Sequence, residues 1–279
     1  MSQLDFVKMH GIGNDYVYVD CFDRDVADPG GLAVRVSDRH KGIGSDGLIL
    51  IRPSDRGDAR MEMYNADGSR GKMCGNGIRC VGKYLYDSGR ARRAHLRIDT
   101  DAGIKDLDLH VSGQGVDSVT VDMGEPILDG PRIPVAAESE VIDAPLRVGE
   151  REWRVTCVSM GNPHCVVFVD DVAALDLPRI GPQFEHHPFF PEQVNTEFIV
   201  PLGPRELLMR VWERGSGETA ACGTGACAAL VAAVLVGRAE RRAVVHLNGG
   251  DLDIEWRASD GRVLMTGPAE ESFRGRIEV

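Results

Sequence analysis

One short device occurs twice in this chain. Met73-Cys74-Gly75-Asn76-Gly77 and Ala221-Cys222-Gly223-Thr224-Gly225 share a Cys-Gly-x-Gly core and lie 148 residues apart. The same shift places Gly161-Asn162 on Gly13-Asn14, Trp212 on Tyr64 and Asn195 on Gly47, so separate elements repeat together without a gap. At 279 residues the chain is long for a single core and suits two domains of ordinary size. Both copies keep a cysteine, which is what an enzyme needs if it must reach one atom from two opposite sides.

Composition narrows the classes. Hydrophobic residues make up 43% and charged residues 27%, the balance of a water-soluble globular protein. A net charge of −11 argues against a broad basic surface for nucleic acid or anionic lipid, so neither is expected as a partner. The segment from Met1 to His10 carries Asp5 and Lys8 around a short apolar patch and lacks the apolar run of a signal peptide. No stretch has the length and uniformity of a transmembrane helix, and a cytoplasmic location is expected. Seven cysteines, an odd number in a chain too large to need disulfides, are expected as reduced thiols. No Cys-x-x-Cys pair occurs, which weakens zinc and thioredoxin-like readings, and no metal is expected.

Short runs rich in Val, Ile and Leu, bounded by Gly, Pro, Asn or Asp, predict strands at 15–20, 47–52, 60–65, 96–99, 118–122, 154–159, 165–170, 197–201, 206–213, 243–248, 251–257 and 262–267. Two segments read as firm helices, 77–86 and 225–236, each starting after its Cys-Gly-x-Gly and stopped by Gly89 or Gly237. The second is apolar all round and too short to span a bilayer, so it should be enclosed by sheet. Shorter helices are expected near 31–38 and 172–180. The fold class is α+β: two pseudo-symmetric domains, each a curved, mostly antiparallel, barrel-like sheet around a central helix. The boundary is placed at Gly124-Glu125-Pro126, giving halves 1–124 and 125–267.

A cysteine at a helix N-terminus feels unpaired N–H groups and the positive end of the dipole, which favour thiolate. Glycines beside it let backbone amides approach a bound carboxylate. Removing the proton next to that carboxylate builds charge on its oxygens, which the same amides stabilise. One thiolate then takes a proton from one face and the opposed thiol returns one to the other, inverting the centre without metal or cofactor. A single buried cysteine is usually only a small hydrophobe, and that reading suits Cys21, Cys80, Cys157, Cys165 and Cys227. It fits Cys74 and Cys222 poorly, because filler has no reason to be matched in two glycine-rich helix starts. A redox role for two facing thiols is the other alternative.

The stretches His10-Gly11-Ile12-Gly13-Asn14-Asp15, Asn65-Ala66-Asp67-Gly68-Ser69, Met73-Cys74-Gly75-Asn76-Gly77-Ile78-Arg79, Gly161-Asn162-Pro163-His164, Asn195-Thr196-Glu197-Phe198, Glu213-Arg214-Gly215-Ser216-Gly217-Glu218-Thr219 and Ala221-Cys222-Gly223-Thr224-Gly225 closely resemble diaminopimelate epimerase, nearly end to end. The resemblance implies a cofactor-independent epimerase that interconverts LL- and meso-2,6-diaminoheptanedioate, on the route to lysine and peptidoglycan, and a homodimer. It implies that the C-terminal strand, 268–279, returns to the first half. By position Cys74 and Cys222 would be the acid–base pair. Gly75-Asn76 and Gly223-Thr224 would hold the reacting carboxylate, while Asn14, Asn65, Asn162, Asn195, Glu213 and Arg214 would contact substrate. A guanidinium can grip the distal carboxylate with two parallel bonds, which suits Arg214. His164 and Glu213 would tune the thiol pKa values.

The 148-residue shift pairs Asn65 with Glu213 and Tyr16 with His164, so the cysteines are symmetric while their neighbours are not. Where some family members carry Gln this chain has Gly47, and a side-chain contact with substrate is expected to be missing there. Two other readings are a proline-racemase-type enzyme, which usually has His in place of Asn76, and a non-catalytic thiol sensor.

Overall fold

The computed structural model describes residues 3–113 and 115–278, which form two compact units. One runs to Asp122 and takes up again at Thr266, and the other spans Met123–Met265. Met1, Ser2 and Val279, at the ends of the expected halves, lie outside the described residues.

The first unit contains β1 (Gln3–Gly11), β2 (Asn14–Asp20), α1 (Pro29–Ser37), β3 (Gly47–Arg52), β4 (Ala59–Asn65), β5 (Arg70–Gly71), α2 (Gly75–Asp87), β6 (His95–Thr100), β7 (Gly103–Ser112) and β8 (Gly115–Gly124). The second contains β9 (Ala144–Val148), β10 (Arg151–Ser159), β11 (Pro163–Phe168), α3 (Leu177–Glu185), β12 (Asn195–Gly203), β13 (Glu206–Glu213), β14 (Gly217–Glu218), α4 (Gly223–Leu235), β15 (Arg242–Leu247), β16 (Gly250–Trp256) and β17 (Val263–Pro268). Last comes β18 (Glu270–Glu278), which pairs antiparallel with β1 in the first unit.

The repeat is structural. β1 and β10, α1 and α3, and α2 and α4 have identical lengths and start 148 residues apart. Pairing repeats as well. In the first unit β1 joins β2 antiparallel, β2 joins β3 parallel, β3 joins β4 antiparallel and β4 joins β6 parallel. In the second, β10, β11, β12, β13 and β15 follow the same order and senses. Each parallel step is bridged by a helix, as such a connection requires. The sheet is thus antiparallel except at its helical crossovers.

Strands of the middle read as continuous apolar runs because both faces are covered. In β3, Leu48 and Leu50 belong to a core with Leu32, Ala33 and Val36 of α1, while Ile49 faces Gly77 of α2. The second unit repeats this. Phe184 of α3 meets Trp153 and Phe198 edge to face at 5.5 Å each, and on the opposite side α4 packs on β10, β11, β12, β13, β15 and β16. The all-round apolar α4 is therefore enclosed by sheet, as its composition requires. Among the described residues no helix is long and apolar enough to cross a membrane.

Three expectations change. α2 and α4 begin at Gly75 and Gly223, two residues early, so each cysteine is itself the N-cap and its glycines sit in the first helical turn. Space is the reason: a Cβ on Gly77 would lie 2.7 Å from Ile49 Cδ1, and one on Gly225 would lie 2.6 Å from Glu197 Oε1. The short helix expected near 172–180 is found at Leu177–Glu185, after Asp176 and with Pro178 in its opening turn, where a missing N–H costs nothing. Finally, β1, β7, β9 and β18 were not foreseen from strand patterns. In β1 the burial of Leu4, Phe6 and Met9 alternates with exposed Gln3 and Asp5, a signal interrupted by buried Val7 and Lys8.

Candidate active site

Two sets of polar side chains gather at the starts of α2 and α4, one in each unit. In the first, β1 and β2 join through a tight turn with Ile12 at φ 48° and Gly13 at φ 85°. A β-branched residue there is a true outlier, and it brings Asn14 directly out of the turn. Asn14 Nδ2 donates to Asp46 Oδ2 at 2.7 Å, and its Oδ1 lies 3.2 Å from Cys74 Sγ. Asp46 and Asp15 share the exposed Arg39, and buried Lys8 bonds Asp15 and the Gly44 carbonyl, so Asn14 stands on an ionic platform that reaches the surface.

Cys74 is partly buried. Its sulfur accepts the Gly77 N–H at 3.3 Å. Burial pushes the thiol pKa up, while the Gly77 amide, Tyr16, the Asn76 amide and the Arg79 charge all pull it down. Arg79 is fully buried, donating to the Gly75 carbonyl at 3.2 Å, Asn76 Oδ1 at 3.0 Å and the Pro268 carbonyl at 3.1 Å. The Asn76 side-chain oxygen is therefore engaged within the helix start. Asn65 donates to Ser69 Oγ at 2.9 Å, within its own turn.

The second set has different chemistry at matching positions. Cys222 is buried, its sulfur 3.5 Å from Thr224 Oγ1, with the Glu213 carboxylate nearby. Burial raises its pKa well above the ordinary thiol value, and the Glu213 and Glu197 charges raise it further. Glu213 is raised too, chiefly by desolvation, with Thr219 donating to its Oε1 at 2.5 Å. Thus the Cys74 sulfur accepts from a helix amide and its thiol can donate to the neutral Asn14 Oδ1, whereas Cys222 lies beside the Glu213 carboxylate.

His164 sits opposite Asn195 in the β11–β12 register, as Tyr16 sits opposite Gly47 in β2–β3. Its Nδ1 is 2.7 Å from Glu197 Oε1, with both side chains fully buried, and its Nε2 is 3.0 Å from Asn162 Oδ1. Asn162 continues to Thr224 Oγ1 at 3.3 Å, so His164 connects to Cys222 through two side chains. Asn195 accepts the Arg214 N–H at 2.9 Å and donates to the Pro163 carbonyl at 3.0 Å. Arg214 is exposed, with one guanidinium nitrogen on the Glu192 carbonyl at 2.8 Å.

Within the first unit Asn14, Asn76 and Cys74 are linked, with Asn65 at the end of β4 bonded only in its own turn; within the second, Asn162, His164, Asn195, Glu213, Arg214, Thr224 and Cys222 are linked. Sequence reading missed Arg79, Glu197 and Thr219 as members of these networks. Glu197 carried a signal: the 148-residue shift puts it on Ile49, so a glutamate occupies a buried phase of an otherwise apolar strand. At Gly47 the strand is closely packed. The missing side chain leaves no gap, because the Tyr64 carbonyl and the Tyr16 ring fill the place where a Cβ would stand.

Comparison with known proteins identifies the family. The family model for diaminopimelate epimerase matches residues 6–128 and 156–271. The chain belongs to the diaminopimelate epimerase family. A diaminopimelate epimerase of Acetivibrio thermocellus is 54% identical over 275 residues, covering 98% of both chains. One from Methanococcus maripaludis is 50% identical over 275 residues, covering 98% of this chain and 99% of its own. Among solved structures, a Bacillus anthracis phenazine biosynthesis protein of the PhzF family superposes with a TM-score of 0.71 at 15% identity over the full length of both chains. A hydroxyproline epimerase from Agrobacterium vitis gives 0.70 at 17% identity, covering 99% of this chain and 92% of its own. At such identities these two show the family's fold is shared with other activities, and nothing about substrate.

Glu197 gives a prediction. Glu197→Ala leaves a buried imidazole nitrogen without its hydrogen-bond partner and should cost about 1–3 kcal/mol, the range for an unsatisfied buried polar group. Chemical unfolding of both proteins measures it, and a loss below about 1 kcal/mol contradicts the pairing.

Proposed function

We propose that this chain epimerises LL- and meso-2,6-diaminoheptanedioate by two-cysteine proton transfer, in lysine and peptidoglycan precursor synthesis. As an isomerase of this family it needs to move one proton on and one off the same carbon. Cys74, as thiolate, takes the α-proton from one face, and Cys222, as thiol, delivers a proton to the other. In the reverse direction the roles exchange. The observation that supports this division is the unlike setting of two equivalent sulfurs: a helix amide and the neutral Asn14 at Cys74, a carboxylate beside Cys222. A pair interacting this way titrates as a unit.

The amides of Gly75-Asn76 and Gly223-Thr224, at the positive ends of α2 and α4, would bind the reacting carboxylate and stabilise charge as the α-carbon loses its proton. Asn14, Asn65, Asn162 and Asn195 would contact the substrate's polar groups. Arg214 would hold the distal carboxylate; its exposed guanidinium needs only to leave the Glu192 carbonyl. His164 and Glu213 set the state of Cys222, His164 through Asn162 and Thr224. No cofactor enters the scheme.

In deuterated water the reduced protein should place solvent deuterium at the α-carbon of LL-diaminopimelate, read by mass spectrometry with stereochemical analysis. Cys74→Ala and Cys222→Ala should each lower kcat on the order of 10²–10⁴-fold, the usual weight of a positioned acid or base. No uptake by the intact protein, or near-normal turnover in either variant, rules the scheme out.

Because burial raises the Cys74 pKa, the thiolate fraction of free enzyme grows about tenfold per pH unit below that pKa. The value of kcat/KM should therefore rise through neutrality, and its basic limb should come late because Cys222 is held higher still. A profile that falls from neutrality upward contradicts this assignment. The proposal includes a cytoplasmic homodimer, for which sedimentation velocity should give twice the 30.4 kDa chain mass.

A further inference from the structure

Asn14 and Asn162 occupy matching places in the two copies, yet each turns the opposite end of its amide toward the neighbouring helix start. In the first copy Asn14 Oδ1 accepts the Cys74 thiol proton at 3.2 Å, and its Nδ2 donates to Asp46 Oδ2 at 2.7 Å. In the second, Asn162 Oδ1 faces His164 Nε2 at 3.0 Å, and its Nδ2 donates to Thr224 Oγ1 at 3.3 Å. Position 46 accounts for the difference. The 148-residue shift sets Asp46 on Val194, a fully buried apolar residue, so only the first copy has a carboxylate there.

A primary amide keeps its shape when turned end for end, so its orientation is set by what its partners can give and take. A carboxylate has no proton to give, and Asp46 therefore takes the Nδ2 end of Asn14 and leaves the carbonyl oxygen for the sulfur. Asp46 is itself fixed. Its Oδ2 also accepts the Asp15 backbone N–H at 3.1 Å, its own N–H donates to the Asp15 carbonyl at 2.8 Å, and its Oδ1 accepts from Arg39 at 2.8 Å. A carbonyl oxygen facing sulfur can only accept, so it favours the thiol and opposes the thiolate. We propose, resting on the two-cysteine reading above, that Asp46 is a positioning residue for proton transfer: it takes the Asn14 N–H and thereby turns the Asn14 oxygen onto Cys74, which waits as a thiol with its proton held in one direction. This is the form in which Cys74 acts when the roles of the two sulfurs exchange.

The other titratable groups around Cys74 come from β1, β2 and α2. β1 contributes Lys8, which bonds Asp15 and the Gly44 carbonyl, and His10, 3.8 Å from Glu270. β2 contributes Asp15, paired with Lys8 and Arg39, and the phenols of Tyr16 and Tyr18, both pushed well above the ordinary phenol range by burial. From α2 come Arg79, whose guanidinium lies on the Gly75 carbonyl, Asn76 Oδ1 and the Pro268 carbonyl, and Cys80, pushed up to about 11 by burial. β3 and β7 meet α2 with apolar side chains, Ile49 at Gly77 and Leu107 and Leu109 at Gly82. All of these groups are common to the variants compared below, so their influence on Cys74 cancels between them.

The test is Asp46→Asn, which keeps the shape but gives position 46 an amide of its own and so releases Asn14 to turn its N–H toward sulfur. Carbamidomethylation of Cys74 by iodoacetamide, followed by peptide mass spectrometry against pH on the folded protein, should show a midpoint about one unit lower, a tenfold gain of thiolate at pH values below it. Asn14→Ala, which removes the accepting oxygen, should lower the midpoint by a similar amount. In the Asn14→Ala background Asp46→Asn should add less than about 0.3 units, whereas simple loss of a nearby negative charge would act alike in both backgrounds. An unchanged or higher midpoint in Asp46→Asn overturns the proposal, and so does an equal fall with and without Asn14. Should Asp46→Asn not fold, an Asn14→Ala midpoint at or above that of the parent overturns it alone. Absence of deuterium uptake by the parent protein would instead sink the epimerase reading, and the alkylation cycle would still decide whether Asp46 acts on Cys74 through Asn14.

Discussion

The first turn of each central helix lies so close to the strand beneath it that no Cβ fits between them. Gly77 touches Ile49 and Gly225 touches Glu197, and the cysteine N-caps follow from that contact. With the helix start pressed onto the sheet, sulfur, strand side chains and helix amides share one small volume. Whatever the strand presents at that level then decides the chemistry of the thiol. Glycine inside a helix costs about 1 kcal/mol relative to alanine, so these positions are retained against propensity.

Within that constraint the two copies diverge at a few positions on the same faces. Ile49 becomes Glu197, Tyr16 becomes His164, Gly47 becomes Asn195 and Gly71 becomes Thr219. The second copy thereby gains a carboxylate, an amide and a hydroxyl and has an imidazole in place of a phenol, and Glu197 and His164 begin a chain through Asn162 and Thr224 to Cys222. The first copy keeps an apolar floor and a phenol. A buried carboxylate beside a thiol opposes its ionisation, while amide and hydroxyl donors favour it. One scaffold therefore holds two sulfurs at different proton affinities without any change of backbone.

Much of this was legible in the sequence because duplication is a strong signal. The fixed 148-residue shift, the glycines around Cys74 and Cys222 and the apolar run of α4 defined the repeated unit and the helix starts. What escaped was set by tertiary contact. That Gly75 and Gly223 are helical depends on strands that pack against them, and sequence alone read the glycines as turns. Arg79 could not be placed from sequence because its partners, the Gly75 and Pro268 carbonyls, are brought to it by the fold. The ring packed where a Gly47 side chain would stand comes from a neighbouring strand, β2.

The pairing of β18 with β1 joins the two ends of the sequence in one unit. During synthesis β1 emerges first but cannot gain this neighbour until residues 270–278 follow, after the whole second unit. The second unit, continuous from 123 to 265, has all its strands earlier. Vectorial folding should therefore complete the second-made unit before the first-made one, leaving the edge of β1 open for most of translation. Buried Lys8 within β1, and the exposed charges of Asp5 and Gln3's polar amide beside it, are the kind of residues that keep such an edge from pairing with other chains.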